Sequence, residues 1–169
     1  MKVCIINGSP RRDGNTEEVL KPFRQRLTEL GARVDDIFLK DWRVAPCLEC
    51  YACQDVQGEY GCVQKDDAEE IFRRIGACDL LVLASPIFTW YCTAEMKALM
   101  DRHYGLNKFY RSAEGQLIPK LSIALITTHG YEDFTTKSSG RSMSFSSTYL
   151  AMSLRNSAPN LRALPSPTP

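Results

Sequence analysis

Lys2–Asn7 reads KVCIIN, and Gly8–Thr16 directly after it reads GSPRRDGNT. The first stretch is a short β-rich run, and Gly8-Ser9-Pro10 is the loop signal that stops it. Beyond the polar residues, Val19, Leu20, Phe23, Leu27 and Leu30 recur at helical spacing. Asn15 is the expected cap of that helix, with Glu18 reaching back from the third helical position, and Gly31 its expected stop. Pro22 sits inside the pattern, which predicts a kink there or a helix regular only beyond it. Arg33–Leu39 (RVDDIFL) then follows as the natural second strand after so short a link.

The same alternation continues. Asp66 and Asp67 open a helix carrying Ala68, Ile71, Phe72 and Ile75, which ends near Gly76. Asp79–Ala84 (DLLVLA) is a continuous apolar run, as expected of a strand covered on both faces. Ser85–Cys92 (SPIFTWYC) is a turn-rich aromatic loop, and Thr93 starts a third helix through Met96, Leu99 and Met100. Leu121–Thr127 (LSIALIT) is another buried strand, with Thr128, His129 and Gly130 in the loop behind it. Strands alternating with helices mean βαβ units and a parallel α/β sheet. After Tyr131 the pattern fails, and residues 159–169 hold four of the nine prolines. Tyr149–Leu154 reads equally as a short strand or a helical turn. The expected organisation is one domain over residues 1–134, with a Cys-rich loop at 40–65, and an irregular tail at 135–169.

Composition narrows the function. The chain has 169 residues, 44% hydrophobic and 24% charged, with 21 basic against 20 acidic side chains. That length suits one core. A net charge of +1 argues against a nucleic-acid protein and against a strongly acidic electron carrier. The longest apolar run, near Leu80–Ala84, is far too short to span a bilayer. MKVCIINGSP has no signal-peptide core, so the cytoplasm is the expected compartment. Seven cysteines, an odd count, argue against a fully paired disulfide framework. Cys4 and Cys78 are expected as small buried hydrophobes. Cys92 reads as structural, although a helix start can lower a thiol pKa.

In open parallel sheets, ligands bind beyond the carboxyl ends of the strands. Gly8–Thr16 offers small residues, the Ser9 and Thr16 hydroxyls, the Asn15 amide, an Arg11 or Arg12 charge and a helix N-terminus, all suited to an anion. The plain alternative is a capped βα turn. The loop is neither a Walker loop nor GxGxxG, which disfavours ATP and a dinucleotide pyrophosphate. Phe88, Trp90 and Tyr91 in one exposed turn either cover a flat ligand or pack back onto the core.

Together the loops resemble a known family. GSPR-x-x-GNT, SPIF-x-W and TTHGY look like the flavodoxin-like NAD(P)H-dependent FMN reductases, and C-x2-C-x2-C (Cys47, Cys50, Cys53) followed by Cys62 resembles their iron–sulfur flavoprotein branch. The resemblance covers about residues 1–134. It implies a flavodoxin-like three-layer α/β/α fold with strand order 2-1-3-4; the family's last helix and fifth strand are not found. It implies that Ser9, Arg11, Asn15 and Thr16 hold the FMN phosphate and that Pro86, Ile87, Phe88, Thr89 and Trp90 line the isoalloxazine. Thr128, His129 and Gly130 would pass its other edge, with Tyr131 beside them. Flavin carries the hydride chemistry, so no catalytic side chain is nominated, His129 included. The implied co-substrate is NAD(P)H, the acceptor a small molecule such as a quinone, and the assembly a homo-dimer or tetramer. The alternative is an FMN electron carrier docking to redox-protein partners.

The cysteines leave three readings. Two-residue gaps let successive thiolates converge on one centre, as in [4Fe–4S] loops. Zinc tolerates similar gaps but more often takes two separated C-x2-C knuckles. The thiols can also stay reduced and bind nothing. The resemblance favours iron, with Cys47, Cys50, Cys53 and Cys62 as ligands, although the branch's last gap is shorter than the eight residues found here.

Overall fold

Along β1 (Lys2–Asn7) every residue after the first is buried, and alternate side chains go to opposite faces. Val3 and Ile5 share a core with Leu20 and Leu27 of α1 (Asn15–Glu29). Cys4 and Ile6 join a second core with Ile71, Phe72 and Ile75 of α2 (Ala68–Gly76) and Met96 and Leu99 of α3 (Ala94–Asp101). In β3 (Leu80–Pro86), Val82 and Ala84 follow Val3, while Leu81 and Leu83 follow Cys4. Period-two alternation through a sheet buried on both sides therefore builds the three layers. The computed structural model describes residues 1–108, 115–118 and 121–129.

β2 is Arg33–Phe38, and β1 pairs parallel with both β2 and β3. Two strands of two residues each, β4 (Asn107–Lys108) and β5 (Gly115–Gln116), form an antiparallel ribbon that the sequence pattern does not announce. The fourth long strand, β6 (Ser122–Thr128), pairs parallel with β3, giving the order β2-β1-β3-β6. This is the flavodoxin-like order expected from the sequence. The chain leaves β1 toward β2, then crosses back to β3, so the order reverses between β1 and β3. β3 runs two residues past the expected Ala84, because Pro86 stays in register with Thr128. The tail at 135–169, and with it any fifth strand, lies outside the described residues.

The start of α1 differs from expectation. Gly14, not Asn15, is the N-cap: its extended backbone (φ −94, ψ 173) aims its carbonyl at the N–H groups of Glu17 and Glu18, at 2.9 and 3.2 Å. No side chain caps the helix. Glu18 does not reach back but pairs with Lys21 at 2.6 Å. The helix then continues through Pro22, which has no N–H to give the Glu18 carbonyl. Its end is as expected. Gly31 (φ +75) donates to the Thr28 carbonyl and Ala32 to that of Leu27, at 2.9 and 3.0 Å, the two bonds of a Schellman ending.

Candidate functional site

The carboxyl ends of β1, β3 and β6 meet at the reversal point, and specific bonds join them. Gly8 N–H donates to the Ala84 carbonyl at 2.8 Å, and Thr93 Oγ1 donates to the Gly8 carbonyl at 2.7 Å. Thr93 is also the N-cap of α3, accepting from Met96 N–H at 3.4 Å. Gly8 must be small here. A Cβ would stand 2.8 Å from Met96 Cε and 3.3 Å from Thr93 Oγ1. The first loop is thus pressed onto α3, and Thr93, which pattern reading singled out only as a helix start, is what pins it.

Ser9 is buried, and its Oγ accepts from Arg11 N–H at 3.2 Å and donates to the Arg11 carbonyl at 2.9 Å. Thr16 is buried too, sharing a 2.8 Å hydrogen bond between hydroxyls with Thr128 at the end of β6. Asn15 is exposed at the first helical position. Of the two arginines, Arg12 is taken up by Asp41 and by the Phe38 ring, 4.3 Å from its guanidinium carbon, whereas Arg11 is exposed beside the loop. A Cβ at Gly14 would lie 3.5 Å from Ser9 Oγ and 3.6 Å from Arg11 Cβ, so glycine leaves a small cradle over the helix N-terminus. An uncapped fifteen-residue helix, a buried hydroxyl on each side and a glycine cradle fit a phosphate dianion.

The second loop is a tight hairpin. Phe88 N–H donates to the Tyr91 carbonyl at 2.8 Å and Tyr91 N–H to that of Phe88 at 2.9 Å. Thr89 (φ 47) and Trp90 (φ 66) between them both lie in the left-handed region, as a two-residue turn of the primed kind demands. For a β-branched residue this is strained, and such strain persists where the surroundings impose it. Phe88 and Trp90 are 50% and 51% exposed, so these two do not pack back onto the core, whereas Tyr91 is half-buried. Pro86 and Ile87 are half-buried, and Ile87 N–H donates to the Thr128 carbonyl at 2.8 Å, tying this loop to the third. His129 follows half-buried, while Gly130 lies outside the described residues. Thr16, Ile87 and Thr128 are therefore linked into one rim, with Phe88–Trp90 following Ile87 in the chain and Ser9 bonded within the first loop. Cys92 is not activated, since burial pushes its thiol up to about 11.

The chain belongs to the NADPH-dependent FMN reductase family. That family's model matches residues 1–132. With this membership the chain takes its place among the FMN-dependent oxidoreductases. An iron–sulfur flavoprotein of Methanosarcina thermophila is 32% identical over 132 residues, covering 78% of this chain and 68% of that one. Another, from Methanocaldococcus jannaschii, is 35% identical over 102 residues, covering 60% of this chain and 51% of that one. Among solved structures, the NAD(P)H:quinone oxidoreductase from Methanothermobacter marburgensis superposes with a TM-score of 0.71 at 27% identity, over 89% of this chain and 75% of that one. The chain thus spans between half and three quarters of the length of these three proteins.

In this family member the cysteine segment is built in two halves. Its neck is closed by Asp66, which accepts from Ala45 N–H at 2.8 Å and pairs with both terminal nitrogens of Arg102 at 2.8 and 3.1 Å. Arg102 also donates to the Ala45 carbonyl at 2.9 Å. The second half is anchored from below. Buried Gln54 donates to the carbonyls of Tyr104 and Asn107, both at 2.8 Å, and buried Lys108 donates to the Cys53 carbonyl at 2.7 Å. Tyr60 stacks on Phe72 with centroids 4.5 Å apart. Cys53 and Cys62 lie half-buried in this half, while Cys47 and Cys50 are exposed in the other. All four thiols are free. Their donor chemistry suits a cluster, but their placement does not, since among the described residues no three metal-ligating side chains come together. Among those residues, no helix is long and apolar enough to cross a membrane.

Proposed function

We propose that this chain binds FMN at the β1/β3 reversal and uses NAD(P)H to reduce a small acceptor such as a quinone. The observation that carries the reading is the uncapped N-terminus of α1 behind the Gly14 cradle, set beside the exposed Phe88–Trp90 hairpin. In this reading the α1 amides, the Thr16 hydroxyl and the Arg11 charge hold the phosphate. Pro86–Trp90 lie along the ring, and the backbone around Thr128, His129 and Gly130 faces its pyrimidine edge. Bound FMN supplies two-electron hydride chemistry and can also release electrons singly. The protein binds, orients and shields, and no side chain is required as an acid or base. Matching over residues 1–132 supports ending the flavin domain near residue 134. A cytoplasmic location and a homo-dimer or tetramer belong to the same proposal.

The electron-carrier alternative draws on the four free thiols and on the names of the relatives. Cys47, Cys50, Cys53 and Cys62 remain the candidate cluster ligands by donor type, and a cluster would require the segment to bring them closer than they stand. The deciding experiment is steady-state NAD(P)H oxidation by the FMN-loaded protein with an added quinone. Turnover dependent on both FMN and quinone supports the enzyme. A loaded protein that never consumes NAD(P)H supports the carrier.

A further inference from the structure

A charged network joins β2 and α1 to the first loop. Glu17, in the first turn of α1, is gripped by Arg24 through two parallel bonds, Nη1 to Oε1 at 2.8 Å and Nη2 to Oε2 at 2.7 Å. Asp36 of β2 lies against Arg24 Nε in ion-pair contact. Glu17 Oε2 also accepts from Asn7 Nδ2 at 3.3 Å, and Asn7 Oδ1 accepts from Ser9 N–H at 3.0 Å. Asn7 is 2% exposed at the last position of β1. Both faces of its amide are therefore assigned, one to Glu17 and one to the loop. Ser9 Oγ in turn holds both backbone groups of Arg11. The chain of bonds runs unbroken from β2 to the mouth of the first loop.

This arrangement contains a conflict. A carboxylate in the first turn of α1 orients Asn7 well, and the helix dipole favours it there. In the FMN reading a phosphate dianion sits at this same end of the helix, and two anions repel. Arg24 resolves the conflict. Its guanidinium and the Asn7 amide hold the Glu17 carboxyl below the ordinary range against the effect of burial, so Glu17 stays an acceptor while its charge is offset.

We infer that Arg24 is a positioning residue for FMN: its guanidinium, which Glu17 shares with Asp36, offsets the negative charge of Glu17 and lets that carboxylate fix Asn7 and Ser9 with less repulsion of the flavin phosphate. The inference rests on the FMN reading above. It assigns Arg24 an effect on the phosphate alone, because the network's bonds join Asn7, Ser9, Glu17, Arg24 and Asp36 and none of them is made to the Phe88–Trp90 hairpin.

The test is a fluorescence-quenching titration with FMN and, separately, with riboflavin, which has the ring but no phosphate. For R24Q the inference expects FMN affinity to fall roughly three- to tenfold, as for one partly screened charge at the edge of a site, with riboflavin affinity unchanged. E17Q keeps an oxygen for Asn7 and removes the charge, so its FMN-to-riboflavin preference rises above wild type. The R24Q/E17Q double variant returns the preference to at least the wild-type value. Equal losses for both ligands in R24Q, or an unchanged preference, overturn the inference. Should R24Q fail to fold, E17Q decides alone, and a preference that falls or stays level overturns it. Failure of the wild-type protein to bind FMN at all would instead remove the parent reading.

Discussion

Arg102 and Asp66 are 1% and 6% exposed, an ion pair buried at the neck of the cysteine segment. Burial pushes the Asp66 carboxyl up, yet Arg102 and the N–H groups of Ala45 and Ala68 outweigh it and hold the group below its ordinary 3.8. The sign follows. A folded pKa below the unfolded one stabilises the fold fully above pH 3.8 and less as the pH falls beneath it. Arg102→Met leaves a buried carboxylate without its cation, an expected loss of about 3–5 kcal/mol at pH 7 by urea denaturation. Burial then raises the Asp66 pKa, so protonation relieves the variant, and its deficit shrinks as pH drops through the carboxylate range. A deficit that grows in acid would contradict this account. Asp66 illustrates what the residue scale conceals, since its sequence context marks it as a helix opener and its partner stands thirty-six positions away.

Elements were far more legible than the bonds between them. β1 and α2 follow from local pattern because their apolar periods are regular and their ends carry turn or cap residues. α1 was legible in extent but not at its first turn. Gly14 displaces Asn15 as cap because only the folded loop shows which carbonyl aims along the helix. The ribbon of β4 and β5 is too short to carry any period. Thr128 as the partner of Thr16 was likewise hidden, for pairing across 112 residues leaves no local trace. The aromatic hairpin was visible as an exposed turn, whereas its left-handed Thr89 was not. Replacing that threonine tests whether its strain serves the site. Thr89→Asn suits the first position of such a turn and is expected to stabilise by about 0.5–1 kcal/mol. Thermal melting then shows a higher Tm, and titration a weaker flavin complex. A higher Tm with unchanged flavin affinity would mean that the strain serves nothing at the site.

At the scale of the whole molecule, the sheet is asymmetric. β3 is buried along its interior, but β6 has one sheet neighbour among the described residues, and its Leu125 is 37% exposed. An apolar edge of this kind calls for a cover. Under the proposed assembly, light scattering is expected to give a dimer or tetramer, and Leu125→Lys to weaken it; a monodisperse wild-type monomer would contradict that expectation. The larger claim concerns the reversal between β1 and β3, where Gly8, Gly14 and the bare end of α1 form a seat for a phosphate. Titration of flavin-free protein with FMN, followed by fluorescence, tests it most directly. The account predicts saturable quenching at one FMN per chain, weakened by added inorganic phosphate and by Thr16→Val. Quenching that never saturates, or that is indifferent to both phosphate and Thr16→Val, would contradict it.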